Sequence, residues 1–581
     1  MVPDAPIDGK LPSVKPEDRS GDFTFSRGSN LAATRVNKSG LIEKGRENLL
    51  LQSNQFDTTW TYNGTSVISG QEGYDGSSDA WLLNKLSAAN FRYIYQDISS
   101  SGVQSFSVYA KAGSLNTATL YVNASVNYYI KFNLVDGSVL DQSVAGVIIN
   151  YNAQDVGSGW WRISVTINDS ITRVRIYPEF NSAVAGSIYI QDAQVEYGLV
   201  PTGYIETTTA TVQKGILENL PRLDYSGGAS CPSLLLEPQR SNLITQSEYY
   251  NTYYTRNNAS LTDNAATSPE GLQNASKLIP NNGTGGNRSV GKSFSGLSGI
   301  HTFSTFAKAG EYGYVSLRMR NSPSAFVMFN LNNGSIHNIN SPAQYVTDSA
   351  KIEDYGDGWY RCSASFDPSQ SLTFLYPSLS VGITGDETNN FNGDGTSGIY
   401  IYGTQFEVGS YPTSYIPTYG SSVTRSQDVG TQLNFSNFFD GYDFTMFLEL
   451  KDNDSLLRAN SSSNLRISDT GGNNYGAIRI YRASSIATRH MIVFQDNSQN
   501  FSPSPVSVDS ENPKIIVRRI YDTGEFKVFV DGVLRLTATN IDYDMFRFID
   551  FAGGGSSMNI KQIALFGTAL TDDECIALTT I

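Results

Sequence analysis

Two long stretches of this chain repeat each other in the same order, so any fold proposed for it must contain one domain twice. Arg46-Glu47-Asn48-Leu49-Leu50 returns as Arg240-Ser241-Asn242-Leu243-Ile244, and Phe106-Ser107-Val108-Tyr109-Ala110-Lys111-Ala112-Gly113 returns as Phe303-Ser304-Thr305-Phe306-Ala307-Lys308-Ala309-Gly310. Phe132-Asn133-Leu134 is matched by Phe329-Asn330-Leu331, and Gly159-Trp160-Trp161-Arg162 by Gly358-Trp359-Tyr360-Arg361. Gln194, Glu196 and Gly198 reappear as Gln405, Glu407 and Gly409, and the exit Pro201-Thr202-Gly203-Tyr204-Ile205 as Pro412-Thr413-Ser414-Tyr415-Ile416. The copies are far longer than the units of a solenoid. A doubled binding module suits avidity for a repetitive surface.

Both copies read as β. Trp161 to Ile167 and Phe444 to Leu450 alternate with the period of two expected of half-buried strands. Tyr, Phe, Val, Ile and Thr fill such runs, and Gly, Asn, Asp and Ser fill the gaps between them. The expected fold class is all-β: tandem antiparallel β-sandwiches, two of them jelly-roll modules. Helix signals are confined to the end of the chain, where Thr571 followed by Glu574 forms a capping box.

The organisation predicted is an extended, proline-spaced N-terminal arm over 1–22, a first module over 23–211, a second over 212–424 and a distinct sandwich over 425–581. Thr34 to Glu43 reads as a hairpin leading into the first module, with its turn at Asn37 to Gly40. The second lead-in carries an insert, Pro221 to Pro238, that the first lacks.

The motifs resemble known families. The Asn-Leu-Leu opening with Trp60 downstream, the Ala-Lys-Ala-Gly strand end, the Gly-Trp-aromatic-Arg strand, the Gln-x-Glu-x-Gly close and the Pro-Thr-x-Tyr-Ile exit resemble jelly-roll carbohydrate-binding-like modules of tailed-phage structural proteins. The lead-in from Thr34 to Glu43 and the run Leu234 to Leu243 look phage-like as well. The last stretch resembles a laminin-G or concanavalin-like lectin sandwich, through Val530-Asp531-Gly532 and the closing Leu570-Thr571 to Glu574 segment. The resemblance implies a virion protein, a head or tail fibre or appendage made in the host cytoplasm. Its implied partners are other virion proteins through the N-terminal arm, host-surface glycans, and copies of itself, most plausibly as a homo-trimer. Fold alone does not fix function.

A sugar platform needs a flat ring with polar groups beside it. Trp60 with Tyr62 is one candidate; Tyr254 aligns with Trp60 in the second copy, preceded by Tyr253. Tyr93 and Tyr95 alternate along a strand and should share one sheet face. Trp161 and Tyr360 fall on the core face of their strands, while Trp160 and Trp359 point the other way, either as platforms or, as favoured here, beneath a loop or neighbouring module. For every one of these rings the competing reading is burial in a core or a seam between modules.

The chain of 581 residues has a net charge of -14, which argues against nucleic acid as a partner. No apolar run approaches the roughly 20 residues of a membrane helix, and the N-terminus shows no basic-then-apolar leader, so no membrane insertion is expected. Cys231, Cys362 and Cys575 lie too far apart to suggest a disulfide framework or zinc site and are expected to be buried and reduced. No cofactor is called for. Asp386, Glu387 and Asp394, or Glu72, Asp75 and Asp79, offer oxygen ligands for calcium, but solvated turns account for them better. No nucleophile elbow, metal-binding His pair or phosphate loop appears, so a non-enzymatic adhesin is expected, with a decorating subunit and a glycan-degrading tailspike as its rivals.

Overall fold

A computed structural model of the chain describes residues 10–11, 23–28, 31–144, 146–283, 288–319, 325–340, 344–367, 374–375, 377–382, 391–434, 443–451, 465–468, 477–479, 493–495, 500–501, 506, 508, 510, 512–539, 548–552 and 558–580. The architecture is all-β with antiparallel pairing throughout the described ladders, and one α-helix, Asp572–Thr580, lies near the end. Its start is the expected capping box: the Glu574 carboxylate accepts from the Thr571 amide at 2.8 Å and the Thr571 hydroxyl accepts from the Glu574 amide at 3.3 Å. Among the described residues no helix is long and apolar enough to cross a membrane.

Each repeat is a sandwich of two sheets. In the second copy the front sheet runs Thr255–Asn257, Ser289–Gly291, Pro377–Gly382, Tyr314–Met319, Ala325–Asn330, Ser335–Asn340. Its back sheet runs Ala259–Ala266, Ala275–Pro280, Ile399–Val408, His301–Lys308, Trp359–Phe366, Lys351–Asp354. The first copy has the same layout, but Tyr93–Ala112 and Trp160–Tyr177 are each continuous, bending from one sheet into the other. Alternation puts Leu120, Val122, Ile130, Phe132, Val174, Ile176 and Ile94 between the layers, where they meet Phe106, Val108, Ile163 and Val165 of the back sheet. Trp161 and Tyr360 pack against these cores as their register predicts.

The third sandwich differs from the sequence expectation. It is assembled from three separated pieces of chain rather than from 425–581 alone. Phe23–Ser26 pairs with Val429–Asn434, so this strand leaves the first module, and Lys10–Leu11, placed in a free arm by the sequence reading, pairs in turn with Phe23 and Thr24. The insert supplies Arg222–Asp224 and Ser233–Leu236, and the latter pairs with Met558–Phe566. Phe25, Leu223, Leu234 and Leu236 share one core with Phe444, Met446, Leu448, Val517 and Val528. The physical reason is direct: each short piece buries its apolar residues in the terminal core, and the terminal sheets lack strands without them. The two modules are therefore insertions between strands of one host sandwich.

The crossings are tied by buried charge. Arg27 and Arg222 flank the first module, and Glu237 and Asp428 flank the second; all four are buried. Asp428 accepts from Arg27 Nη1 at 3.1 Å, from Arg222 Nε at 3.2 Å and from the Glu237 amide at 2.9 Å. Glu237 pairs with Arg222 and Arg425, each at 2.8 Å. Burial alone would raise the Glu237 pKa, but Arg425 and Arg222, helped by Ser414, hold it down at about 2.

A second buried cluster locks module to module. Lys44, from the first lead-in, reaches Glu248 at 2.5 Å and Glu270 at 2.6 Å, beneath the rings of Tyr402, Tyr415 and Tyr419. Alongside it the Val103 amide donates to the Tyr419 carbonyl at 2.7 Å. Gly102 makes this approach possible, because a Cβ there would lie 1.7 Å from that carbonyl oxygen.

Candidate functional site

Most of the rings singled out from the sequence are structural. Trp60 is 3 % exposed; it packs on Phe56 and donates to the Gln52 carbonyl. Its counterpart Tyr254, 7 % exposed, donates to the equivalent Gln246 carbonyl, so one hydrogen bond is preserved through two ring types. Trp160 is covered by Tyr74 and Tyr109. Trp359 lies under Ile42 of the first lead-in and donates to the Thr267 carbonyl. These four cannot meet a ligand: each ring does more as buried apolar area, and the polar hydrogens of Trp60, Tyr254 and Trp359 are satisfied by main-chain carbonyls. Tyr62 is half-exposed but sits opposite Ile94, on the core side of its strand, and its hydroxyl donates to the Phe56 carbonyl. Tyr253 lines a polar cleft of about 410 Å³ between the modules, with Gly102, Asn168, Thr245 and Gln246, and its ring is held by Lys292.

Tyr93 and Tyr95 behave differently. Their rings are 5.9 Å apart on the outer face of the front sheet, as the alternation requires, and both are half-buried. The register assembles a grid around them. One row reads Asn127, Asn123, Arg173, Asp97. The next reads Tyr129, Tyr121, Arg175, Tyr95, Thr61. A third begins Lys131, Thr119, Tyr177 and continues through Tyr93 to Asn63, with the Tyr93 and Tyr177 rings 4.7 Å apart. Phe180 closes one side, 4.7 Å from Tyr129 and 5.7 Å from the exposed Phe91.

Cations lie on the rings. The Arg173 guanidinium is 3.9 Å from the Tyr95 centroid and is held by both oxygens of Asp97. Arg175 lies 4.6 Å from Tyr93 and 5.0 Å from Tyr121, and donates to the Tyr177 hydroxyl at 3.2 Å. Burial moves the Tyr177 hydroxyl up to about 12 despite Arg175, so it stays protonated. The surface thus offers flat apolar faces, guanidinium donors and amides side by side, the set that recognises a polyhydroxylated ring.

The second copy builds the same sheet with a different, buried outer face, in which Arg318 over Phe326 stands where the first has Tyr121 and Tyr129. By register Tyr177, Tyr93, Arg175 and Tyr95 are replaced by Ser380, Ser289, Ser378 and Gly291. Tyr121, Tyr129, Tyr177, Phe180, Arg173 and Arg175 were missed in the sequence reading. Their signal was the alternation of Arg173, Arg175 and Tyr177 with Val174 and Ile176.

Asp394 caps its own turn, accepting from the Thr396 and Ser397 amides, and Asp75 does the same with Ser77. Asp386 and Glu387 lie outside the described residues. No group of three or more His, Cys, Asp or Glu side chains suited to a metal occurs among the described residues. Cys362 and Cys575 are buried thiols, whereas Cys231 is exposed, contrary to expectation, because it follows the turn between two sandwich strands at the surface.

No family model and no curated relative matches the sequence. Among solved structures the chain is similar to the Ruminococcus gnavus IT-sialidase CBM40 bound to α2,3-sialyllactose, at 16 % identity over 24 % of this chain and 83 % of that one, with a TM-score of 0.17. It is also similar to the CBM22-1–CBM22-2 tandem of Paenibacillus barcinonensis Xyn10C, at 10 % identity over 66 % of this chain and all of that one, with a TM-score of 0.22. With TM-scores this low, the reading of the site rests on its own geometry.

Proposed function

We propose that this chain is a tailed-phage virion protein, a fibre or appendage that binds host-surface glycans through the outer face of its first module, without enzymatic turnover. The phage assignment is supported by the motif resemblance, above all the Thr34 to Glu43 lead-in and the Leu234 to Leu243 run. The binding assignment is carried by one observation: the second copy folds the same sheet with Ser380, Ser289 and Gly291 where the first has Tyr177, Tyr93 and Tyr95. Tyr93 and Tyr95 stay half-buried at the surface over a buried Tyr177, and such rings open to solvent fit recognition. Homo-trimers would multiply the site along a repetitive surface.

The test is adsorption of the purified full chain to host cells and its competition with phage, compared with Tyr95→Ala. Removing a central ring from a stacking site should weaken binding roughly 10- to 30-fold. If Tyr95→Ala folds normally and adsorbs like the parent, the face is not the site. If the parent neither adsorbs nor competes, the glycan reading gives way to a decorating subunit.

A further inference from the structure

The grid is cationic in a chain that is strongly acidic overall. Five cations, Lys85, Arg92, Lys131, Arg173 and Arg175, belong to or border it, against three carboxylates, Asp97, Asp141 and Glu179. Lys131 is neutralised by Glu179 and Arg173 by Asp97. Lys85 is buried and donates to the Ser182 carbonyl. Arg92 donates to Asn63 Oδ1 at 3.1 Å and Arg175 to a tyrosine hydroxyl; neither meets a carboxylate among the described residues, and the Nε of each has no hydrogen-bond partner. Arg175 occupies the centre of the middle row, wedged between Tyr93 and Tyr121, so its planar fork is fixed before any ligand arrives.

A neutral sugar has no need of a centred guanidinium without a directly bonded carboxylate. Stacking rings and the amides of Asn63, Asn123 and Asn127 would serve its hydroxyls. A guanidinium held flat by two rings matches a carboxylate or sulfate, to which its remaining outward N–H groups offer charge-assisted bonds. The second copy has Ser378 at this position, and its neighbouring Arg318 is buried over Phe326.

We infer that the ligand of the first module is an anionic glycan, a uronate-bearing or sulfated oligosaccharide whose acidic group pairs with Arg175 while its ring lies against Tyr95, Tyr121 and Tyr129. This rests on the glycan-binding reading of the same face. Arg173, already occupied by Asp97, orients Tyr95 and is a positioning residue. Arg92 extends the positive field toward Asn63.

The experiment uses the full chain on a glycan array spanning neutral and acidic bacterial oligosaccharides. Titrations follow with oligogalacturonate and with the same oligomer methyl-esterified, which removes charge and keeps the ring. The acid should bind at least about tenfold more tightly than the ester, and that difference should shrink as salt is raised. Arg175→Gln should weaken acid binding far more than ester binding and so abolish the acid–ester difference; Tyr95→Ala should weaken both. Acidic array hits carrying sulfate but no carboxylate, lost in Arg175→Gln, would assign the acidic group as sulfate. Equal binding of acid and ester, both lost in Tyr95→Ala, would overturn the charge inference and leave the glycan reading standing. Failure to bind anything on the array would overturn both.

Discussion

Asp428→Asn should do more damage than removal of the arginine it holds. The cluster at the module crossings contains three guanidiniums, Arg27, Arg222 and Arg425, and two carboxylates, Glu237 and Asp428, all buried. Asp428 is the partner of both Arg27 and Arg222 and also accepts from the Glu237 amide. Neutralising it leaves three buried cations facing one carboxylate, a broken ion pair of the kind that costs about 3–5 kcal/mol. Arg222→Met instead leaves two cations with two carboxylates; it forfeits the charge-assisted bonds to Asp428 and Glu237 and those to the Thr34 carbonyl and Ser414, but leaves the remaining charges balanced. The restored balance offsets part of that loss, so Arg222→Met should cost less than Asp428→Asn. The assay is hydrogen exchange along a urea series, read in Lys514–Ile520 and Glu525–Val530 of the host sandwich. All five tryptophans lie in the two modules, so their fluorescence reports the insertions separately from the host. Asp428→Asn should lower the host transition and leave most of the tryptophan signal in place. Equal losses in the two variants, or a larger loss in Arg222→Met, would refute the claim that charge balance controls this junction.

Other outcomes follow from the same geometry. Trp60→Ala should destabilise the first module by about 3–5 kcal/mol, seen as an earlier tryptophan unfolding transition, with unchanged affinity in the folded fraction. Asp192 is buried, and burial together with Asp79 and Asp75 raises its pKa to about 7 despite the hydroxyl of Tyr74. The folded state then keeps a proton that the unfolded chain releases, so stability falls as pH rises from about 4 to about 7, by up to about 4 kcal/mol; Asp192→Asn should show a flatter profile across that window in urea titrations. Gly102→Ala places a Cβ against the Tyr419 carbonyl in a backbone of φ +108, so the Val103 amide should lose exchange protection while both module cores keep theirs.

Much of this architecture was legible where the signal is local. The Asn37 to Gly40 hairpin has its asparagine side chain bonded to the Ser39 and Leu41 amides, and Asp531-Gly532 both adopt positive φ, as an Asp-Gly turn requires. The two copies stood out because the strands and their exits recur in order. Exposure of individual rings was not legible. Trp60 and Tyr95 are both aromatics beside polar residues, and only the pairing of Tyr95 with Arg175 and Thr61 separates a surface row from a core one. The host sandwich was hidden for another reason. Leu234, Leu235 and Leu236 pair with residues 558–560, and nothing within the insert names so distant a partner.

The insertion topology also explains why the two copies could diverge at one face only. Each module enters and leaves at the charge cluster, and the Lys44 cluster locks the lead-in of the first against Glu248 and Glu270 of the second. The lead-ins, seam and back sheets are therefore constrained in both copies, and Arg162 and Arg361 still donate to the equivalent hydroxyls of Ser107 and Ser304. The outer side of the front sheet takes no part in those junctions. Substitution of Tyr93, Tyr95, Arg175 and Tyr177 by Ser, Gly, Ser and Ser disturbs neither the core registers beneath nor the crossings, so binding chemistry on that surface could change while the scaffold did not.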